Sequence, residues 1–146
     1  MWYTLPGGMQ IVEFKTDLIF QGDFMSREQI VNEKYTLAFG VDHVCGPFVQ
    51  VWEKREPETE NEKELHGTGI PAIYCDRMTG LQINNPNALE RNFKLKKWTK
   101  QIEMNVKLAE LMKVRPHLGE GHVIQLGHAL EIKGDGFERK VFELWD

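Results

Sequence analysis

Two β-rich segments separated by a short turn constrain the fold of this chain most. Large apolar side chains alternate with small or polar ones over residues 35–41, and residues 48–52 form a second β-rich run. The intervening residues include Gly46. Two such runs with a short glycine-containing connection are typical of an antiparallel hairpin. The small residues Ala38 and Gly40 predict that another element approaches the first strand closely.

The residues before this hairpin predict two further elements. Residues 12–20 alternate between apolar and polar side chains, which is typical of a half-buried strand. Ser26 and Gln29 have the spacing of a helical capping box. That spacing predicts a short helix over residues 27–33.

Two more hairpins are predicted in the second half of the chain. Residues 70–76 and 81–83 flank a turn that ends in Gly80. Residues 124–132 alternate again and, together with 137–145, predict a final hairpin. The apolar positions of 137–145 also fit a helix, so both alternatives stay open for this segment.

A long amphipathic helix is predicted between these hairpins. Asn85 and Pro86 are typical of a helix start, and the apolar periodicity ends near Arg115 and Pro116. The apolar positions, predicted to face inward, are Leu95, Trp98, Ile102, Val106, Ala109 and Met112, widened by Met104, Leu108 and Leu111. The fold class that follows is α+β: an antiparallel sheet built of hairpins, with one long amphipathic helix packed across a face.

Length and composition predict one globular domain over residues 1–146. A chain of 146 residues is of ordinary domain size, and 41% hydrophobic with 27% charged residues is typical of a packed fold. Residues 1–9 are interpreted as an N-terminal arm. Residues 53–66 are predicted to be a flexible acidic loop, because residues 53–64 contain six glutamates and no apolar side chain.

The sequence also predicts a cytoplasmic protein. The chain has no apolar run long enough to cross a membrane, and its N-terminus lacks the features of a signal peptide. Without a secretion signal, Cys45 and Cys75 are expected to be reduced thiols. The net charge of −4 disfavours a dedicated nucleic-acid-binding domain.

The turn of the first hairpin carries the candidate chemistry. Asp42 next to His43 suggests a general base, with Cys45 two residues away. Alternatively, Asp42 caps the turn, since adjacent residues of a strand point to opposite faces. His43, Cys45, His66 and Cys75 could together supply four zinc ligands, but their spacing matches no zinc motif. We therefore predict no metal and no cofactor.

Three histidines and three glycines lie near the C-terminus. The glycines at positions 119, 121 and 127 lack the lysine and Ser/Thr of a phosphate-binding loop. His117 and His122 flank a glycine-rich link. His128 falls on the apolar side of its predicted strand, which favours a partly buried, hydrogen-bonded imidazole.

Charged and aromatic residues suggest binding surfaces. Residues 91–115 carry eight Lys/Arg against two Glu, and Lys96, Lys100 and Lys107 share one side at helical spacing. A solvated helix face is a more favoured interpretation of these lysines than binding to nucleic-acid phosphates, because Trp98 lies on the apolar stripe rather than among them. Trp2 and Trp145, near the termini, either pack back onto the sheet, which is the slightly favoured alternative, or serve as anchors of a protein interface.

Two function classes remain. The favoured one is a non-enzymatic protein-interaction or regulatory module with an unidentified protein partner, or with self-association through the sheet edge or the termini. The alternative is a small enzyme or ligand-binding domain with its site at Asp42, His43 and Cys45. A flat exposed apolar patch favours the first class, whereas a deep pocket at the hairpin favours the second.

Overall fold

The computed structural model describes residues 25–145. The strand predicted over 12–20, the arm over 1–9 and Trp2 lie outside this range. The elements in the described part are, in chain order, β1 (Met25–Val31), β2 (Tyr35–Asp42), β3 (Gly46–Glu53), α1 (Glu60–Thr68), β4 (Ile73–Asp76), β5 (Gly80–Ile83), α2 (Pro86–Glu90), α3 (Phe93–Met112), α4 (Glu120–Ala129) and α5 (Asp135–Trp145).

The strands form an antiparallel meander in the order β1-β2-β3-β4-β5. Both hairpins predicted between residues 35 and 83 are confirmed as β2–β3 and β4–β5. Gly46 and Gly80, at φ values of 76° and 82°, occupy the left-handed backbone region that favours glycine at the ends of these turns. The α+β fold class is therefore confirmed.

The helix predicted over residues 27–33 is wrong, because most of this segment is strand β1. Every residue of β1 pairs with one of β2, from Met25 opposite Asp42 to Val31 opposite Thr36. A capping-box spacing supplies only two local hydrogen bonds, whereas the sheet edge offers a partner along the whole segment. Tertiary pairing thus overrides the local signal.

The core lies between the sheet and the helices. Leu37, Phe39 and Val51 are fully buried on the inner face of the sheet. Helix α3 packs against β5 and α4, and α5 packs against β1 and β2. The Phe39 and Phe137 rings meet edge to face, with centroids 5.6 Å apart. The long helix is therefore one of several that cover the sheet.

The hairpin predicted at the C-terminus is wrong, because the segment forms helices α4 and α5. Val123, Leu126 and Leu130 are buried at helical spacing, a pattern that overlaps with alternation over this short stretch. Gly127 lies where α5 crosses α4, and a Cβ there would stand 2.2 Å from Cε2 of Phe137. The helical alternative for residues 137–145 is the correct one.

The acidic loop predicted over residues 53–66 is wrong for its second half. Helix α1 begins after Thr59, whose side chain accepts a hydrogen bond from the Glu62 amide. Glu62 is only 1% exposed. A charge this deeply buried requires ionic or hydrogen-bonding partners, and those partners anchor a segment that has few apolar side chains.

The predicted inward stripe of α3 is correct in part. Leu95, Trp98, Ile102 and Ala109 are buried. The remaining apolar residues at the C-terminal end are exposed, contrary to the prediction; they are Met104, Leu108, Leu111 and Met112. A helix of 20 residues is about 30 Å long, and the sheet with α4 covers only one side of it.

Candidate functional site

The β2–β3 turn is held by its own hydrogen bonds. Asp42 Oδ1 accepts from the backbone amides of Val44 at 2.7 Å and Cys45 at 2.8 Å. His43 lies in the same turn, between Asp42 and Val44. The Asp42 carboxylate therefore caps the turn, as the alternative in the sequence interpretation had it.

The neighbouring β4–β5 turn adds three residues that were not among the sequence candidates, Tyr74, Asp76 and Thr79. Asp76 accepts from Tyr74 Oη at 2.6 Å and from Thr79 Oγ1 at 2.8 Å. After burial and Asp42, Asp76 also contributes to the raised pKa of the Cys45 thiol. The position of Asp76, just before a turn, was the signal that could have indicated its role.

The electrostatics of this cluster oppose nucleophilic chemistry. Burial, followed by Asp42 and Asp76, raises the pKa of the Cys45 thiol. Burial and then the hydrogen bond to Asp76 raise the pKa of Tyr74. Both groups therefore stay protonated at neutral pH, whereas an activated cysteine needs a lowered pKa.

The four zinc candidates are not brought together. Cys45 lies in the turn before β3, whereas His66 lies in α1, beyond the other end of that strand. Cys75 is buried, and burial raises the pKa of its thiol to about 12. Across residues 25–145, no three His, Cys, Asp or Glu side chains are arranged to hold a metal ion.

A second polar cluster joins β3, α1 and the start of α3. Arg91 contacts Glu53 at 2.5 Å and Glu62 at 2.6 Å, and Asn85 donates to Glu62 at 2.9 Å. The hydrogen bonds from Asn85 and Arg91 lower the pKa of Glu62 to about 2. Each charge in this Arg91 cluster has a partner within the protein, so the cluster is a structural anchor.

The cavity beside the Arg91 cluster is small. It measures about 130 Å³ and is lined by Trp52, Leu65 and His66, among others. Small-molecule sites usually measure about 300–1,000 Å³. This cavity therefore does not favour a ligand-binding function.

The predicted binding residues have different surroundings. Lys96 Nζ lies 3.0 Å from a carboxylate oxygen of Glu90. Lys100 and Lys107 are exposed, and neither forms an ion pair with another described residue. Trp145 is half-buried against the core, with its Nε1 donating to the Leu118 carbonyl at 3.4 Å.

The outer side of α3 carries an exposed apolar surface. Met104, Leu108, Leu111 and Met112 are 68%, 56%, 81% and 63% exposed, respectively. Their spacing of four, three and one residues places them on the side of the helix opposite Trp98 and its buried neighbours. We call these four residues the α3 stripe. The sequence analysis assigned these residues to the inward-facing side of α3. The apolar positions, however, cover more of the helix circumference than a single buried face can.

An open cleft runs along one edge of the α3 stripe, between α3 and the start of α4. The cleft has a volume of about 450 Å³, and Met104 belongs to both surfaces. The remaining lining residues are polar or glycine: Gln101, Asn105, His117, Gly119, Glu120, Gly121, His122 and Gln125. The stripe and the α3–α4 cleft therefore form one continuous surface.

His122 lines this cleft on its inner side. Its Nδ1 accepts from the Gly119 amide at 3.0 Å, and Asn105 Nδ2 lies 2.9 Å from its Nε2. Burial and then the nearby His117 lower the pKa of His122. His122 is therefore neutral at physiological pH, whereas Glu120 supplies a carboxylate to the lining of the cleft. His128, in contrast, is exposed on α4, so the prediction that it is partly buried is wrong.

Comparison with protein-family models, with curated proteins and with solved structures finds no match to this chain. The fold itself therefore defines the class: an α+β domain with a five-stranded antiparallel meander. Within residues 25–145, no helix combines the length and apolar character needed to cross a membrane.

Proposed function

We propose that this protein is a non-enzymatic protein-interaction module that docks its partner on the α3 stripe. The observation that carries the proposal is the contiguous row of exposed apolar side chains at Met104, Leu108, Leu111 and Met112. Single exposed apolar residues are normal on proteins, whereas contiguous patches with a polar rim mark interaction sites. The rim here consists of lysines on one edge and the α3–α4 cleft on the other.

Burial of this row on binding supplies a useful driving force. Removing a leucine or methionine side chain from water contributes about 1.5–3 kcal/mol. Leu108 and Leu111 alone could therefore contribute several kcal/mol towards a complex. The two methionines add flexible side chains that adapt to a partner surface. A small number of such side chains often dominates the binding energy of an interface.

The alternative function, an enzyme or ligand-binding domain at the β2–β3 turn, has weaker support. The Asp42 carboxylate is occupied by turn amides, and the Cys45 thiol has a raised pKa. A nucleophile or general base needs the opposite: a lowered thiol pKa or a carboxylate directed at a substrate. The polar groups of this turn support its conformation instead.

The double variant Leu108→Gln/Leu111→Gln tests the proposal against a matched control, Glu103→Gln/Glu110→Gln, on the same turns of α3. Tagged full-length baits are incubated with native lysate, and captured proteins are identified by mass spectrometry. Each candidate is then purified and titrated calorimetrically. We expect at least tenfold weaker binding to the leucine variant, equivalent to about 1.4 kcal/mol, and unchanged binding to the control.

Circular dichroism and thermal unfolding check that both variants fold. If every reconstituted partner binds the leucine variant as tightly as the wild type, the α3 stripe is not the docking surface and the proposal fails.

A further inference from the structure

The two edges of the α3 stripe differ in charge. Lys100 and Lys107 lie along one edge, seven residues or about 10 Å apart, and are exposed. The neighbouring Lys96 and Lys97 are engaged, the first with Glu90 and the second over the Phe93 ring at 5.8 Å. The opposite edge is the α3–α4 cleft, whose lining has amide side chains, the neutral His122 and the carboxylate of Glu120, but no Lys or Arg. One side of the stripe is thus cationic, whereas the other is polar with a single acidic residue, which disfavours partner carboxylates there.

This asymmetry disfavours a second copy of the chain as the occupant. If two α3 helices paired antiparallel around Leu108, the Lys107 side chains of both copies would flank the contact close to its centre. Like charges facing each other across a helix pair are destabilising. The row Met104–Leu108–Leu111 is also short, covering about two turns of helix.

A lipid surface fits the same asymmetry poorly. Helices that lie in a membrane interface have a polar face rich in Lys and Arg. Here Glu103 and Glu110 follow the lysines around the helix, and α4 stands beside the other edge. The whole chain also carries a net charge of −4. An anionic bilayer would therefore meet repulsion beyond the two lysines.

Resting on the proposed function, we infer that the partner is an amphipathic helix with carboxylates along only one edge of its apolar face. Its apolar residues lie on the α3 stripe. Two of its Asp or Glu side chains, about two turns apart, meet Lys100 and Lys107. Its other edge carries uncharged polar side chains that face the α3–α4 cleft. Charge at one edge fixes the orientation of the helix, and the apolar row supplies most of the affinity.

Defined peptides test this inference without knowledge of the natural partner. Three labelled 16-residue alanine-based helices carry the same leucine row, with one edge bearing glutamate, glutamine or lysine. Their binding to the full-length protein is measured by fluorescence anisotropy in low salt. The wild type is expected to bind the glutamate peptide about tenfold more tightly than the glutamine peptide, and the preference should shrink at high salt.

Charge reversal supplies the matched comparison. Lys100→Glu/Lys107→Glu is expected to reverse the preference in favour of the lysine peptide. Lys34→Glu/Lys133→Glu makes the same change in total charge at exposed sites in other parts of the protein, and it should retain the preference for glutamate. Reversal in the first variant alone supports the inference.

The remaining outcomes separate the inference from the proposed function. Equal affinity for the glutamate and glutamine peptides overturns the inference of an acidic partner. The α3 stripe is still supported as the docking surface if Leu108→Gln/Leu111→Gln weakens binding of both peptides. Absence of binding to any peptide, or binding that the leucine variant does not change, overturns both. Stronger binding to phosphatidylglycerol vesicles, or a dimer in sedimentation that the leucine variant loses, overturns the helical partner in favour of a bilayer or a second copy.

Discussion

The two ends of helix α3 differ in how the rest of the protein holds them. At its start, Asn92 Oδ1 accepts from the Leu95 amide at 3.0 Å, and Asn92 Nδ2 donates to Tyr35 Oη at 3.0 Å. The preceding residue, Arg91, joins two acidic side chains from other elements. At its end, the outward side chains of the α3 stripe are exposed, and no element within residues 25–145 holds them in this way.

Within this one helix, the start contributes to the fold, whereas the outer side of the end is available for the proposed binding. Buried apolar groups and fixed polar partners at the start define where the helix lies. Among the described residues, the outer side of the last turns is exposed, so a partner could bind there without disturbing the buried contacts of the inner side. Binding surfaces carried on rigid elements avoid much of the cost of ordering a loop.

The largest expected effect is at Trp98, on the inner side of α3. Trp98→Ala should lower the free energy of unfolding by about 4 kcal/mol, because it removes a buried indole and the hydrogen bond from its Nε1 to the His122 carbonyl. Urea unfolding measures the loss. Met104→Ala, on the outer side, is the control and should change stability by less than about 0.5 kcal/mol. A loss of less than about 1 kcal/mol in Trp98→Ala would contradict the assignment of the inner side.

The Arg91 cluster provides the next effect. Arg91→Ala should lower the free energy of unfolding by about 3 kcal/mol, because it leaves Glu53 and Glu62 buried without a countercharge. Arg55→Ala removes an exposed pair with Glu58 and should cost almost nothing. Similar losses in the two variants would mean that the cluster does not anchor the helix start.

The pH dependence of stability should identify Glu62 within this cluster. Its pKa of about 2 in the folded protein lies below the ordinary value of 4.5, so the folded state favours the carboxylate. Its contribution is complete above about pH 4.5 and is lost as the pH falls towards 2. Between pH 6 and 2, the wild type should lose about 2 kcal/mol more stability than Glu62→Gln. Parallel losses in urea titrations would show that Glu62 is not the responsible group.

The smallest expected change in stability is at the exposed leucines on the outer side of α3. Leu108→Gln/Leu111→Gln should leave the free energy of unfolding within about 0.5 kcal/mol of the wild type, because both side chains already face water. The double variant is compared with the wild type in urea. A loss above about 1.5 kcal/mol would mean that these leucines belong to the folded core.

The hairpins were predictable from sequence because their signals are local. Alternation in residues 35–41 and a glycine with positive φ at each turn are features of the segments themselves. Strand β1 could not be recognised in this way, since its stability comes from pairing with β2. Helix α4 was missed because the apolar residues Ile124, Leu126 and Leu130 fit both alternation and helical spacing over so few residues, whereas a helix had stayed open as an alternative for the segment that forms α5.

The candidate site was only partly predictable for a related reason. Sequence identified the lysines of α3 and the Asp42 turn, but periodicity cannot tell which apolar residues of a helix find cover. Met104, Leu108 and Leu111 were therefore assigned to the core. Likewise, the glutamate-rich composition of residues 53–64 gave no indication that Glu62 is buried. Its partners, Asn85 and Arg91, are distant in sequence.

Photo-crosslinking in the native cell tests most directly whether the outer side of α3 is a docking surface. The photoreactive residue p-benzoylphenylalanine is placed in the full-length chain at position 108 or 111, or at the exposed control positions 103 or 110 of the same helix. The account predicts a discrete crosslinked protein at 108 and 111, and little or none at 103 and 110. Equal yields at all four positions, or no product at 108 and 111, would contradict it.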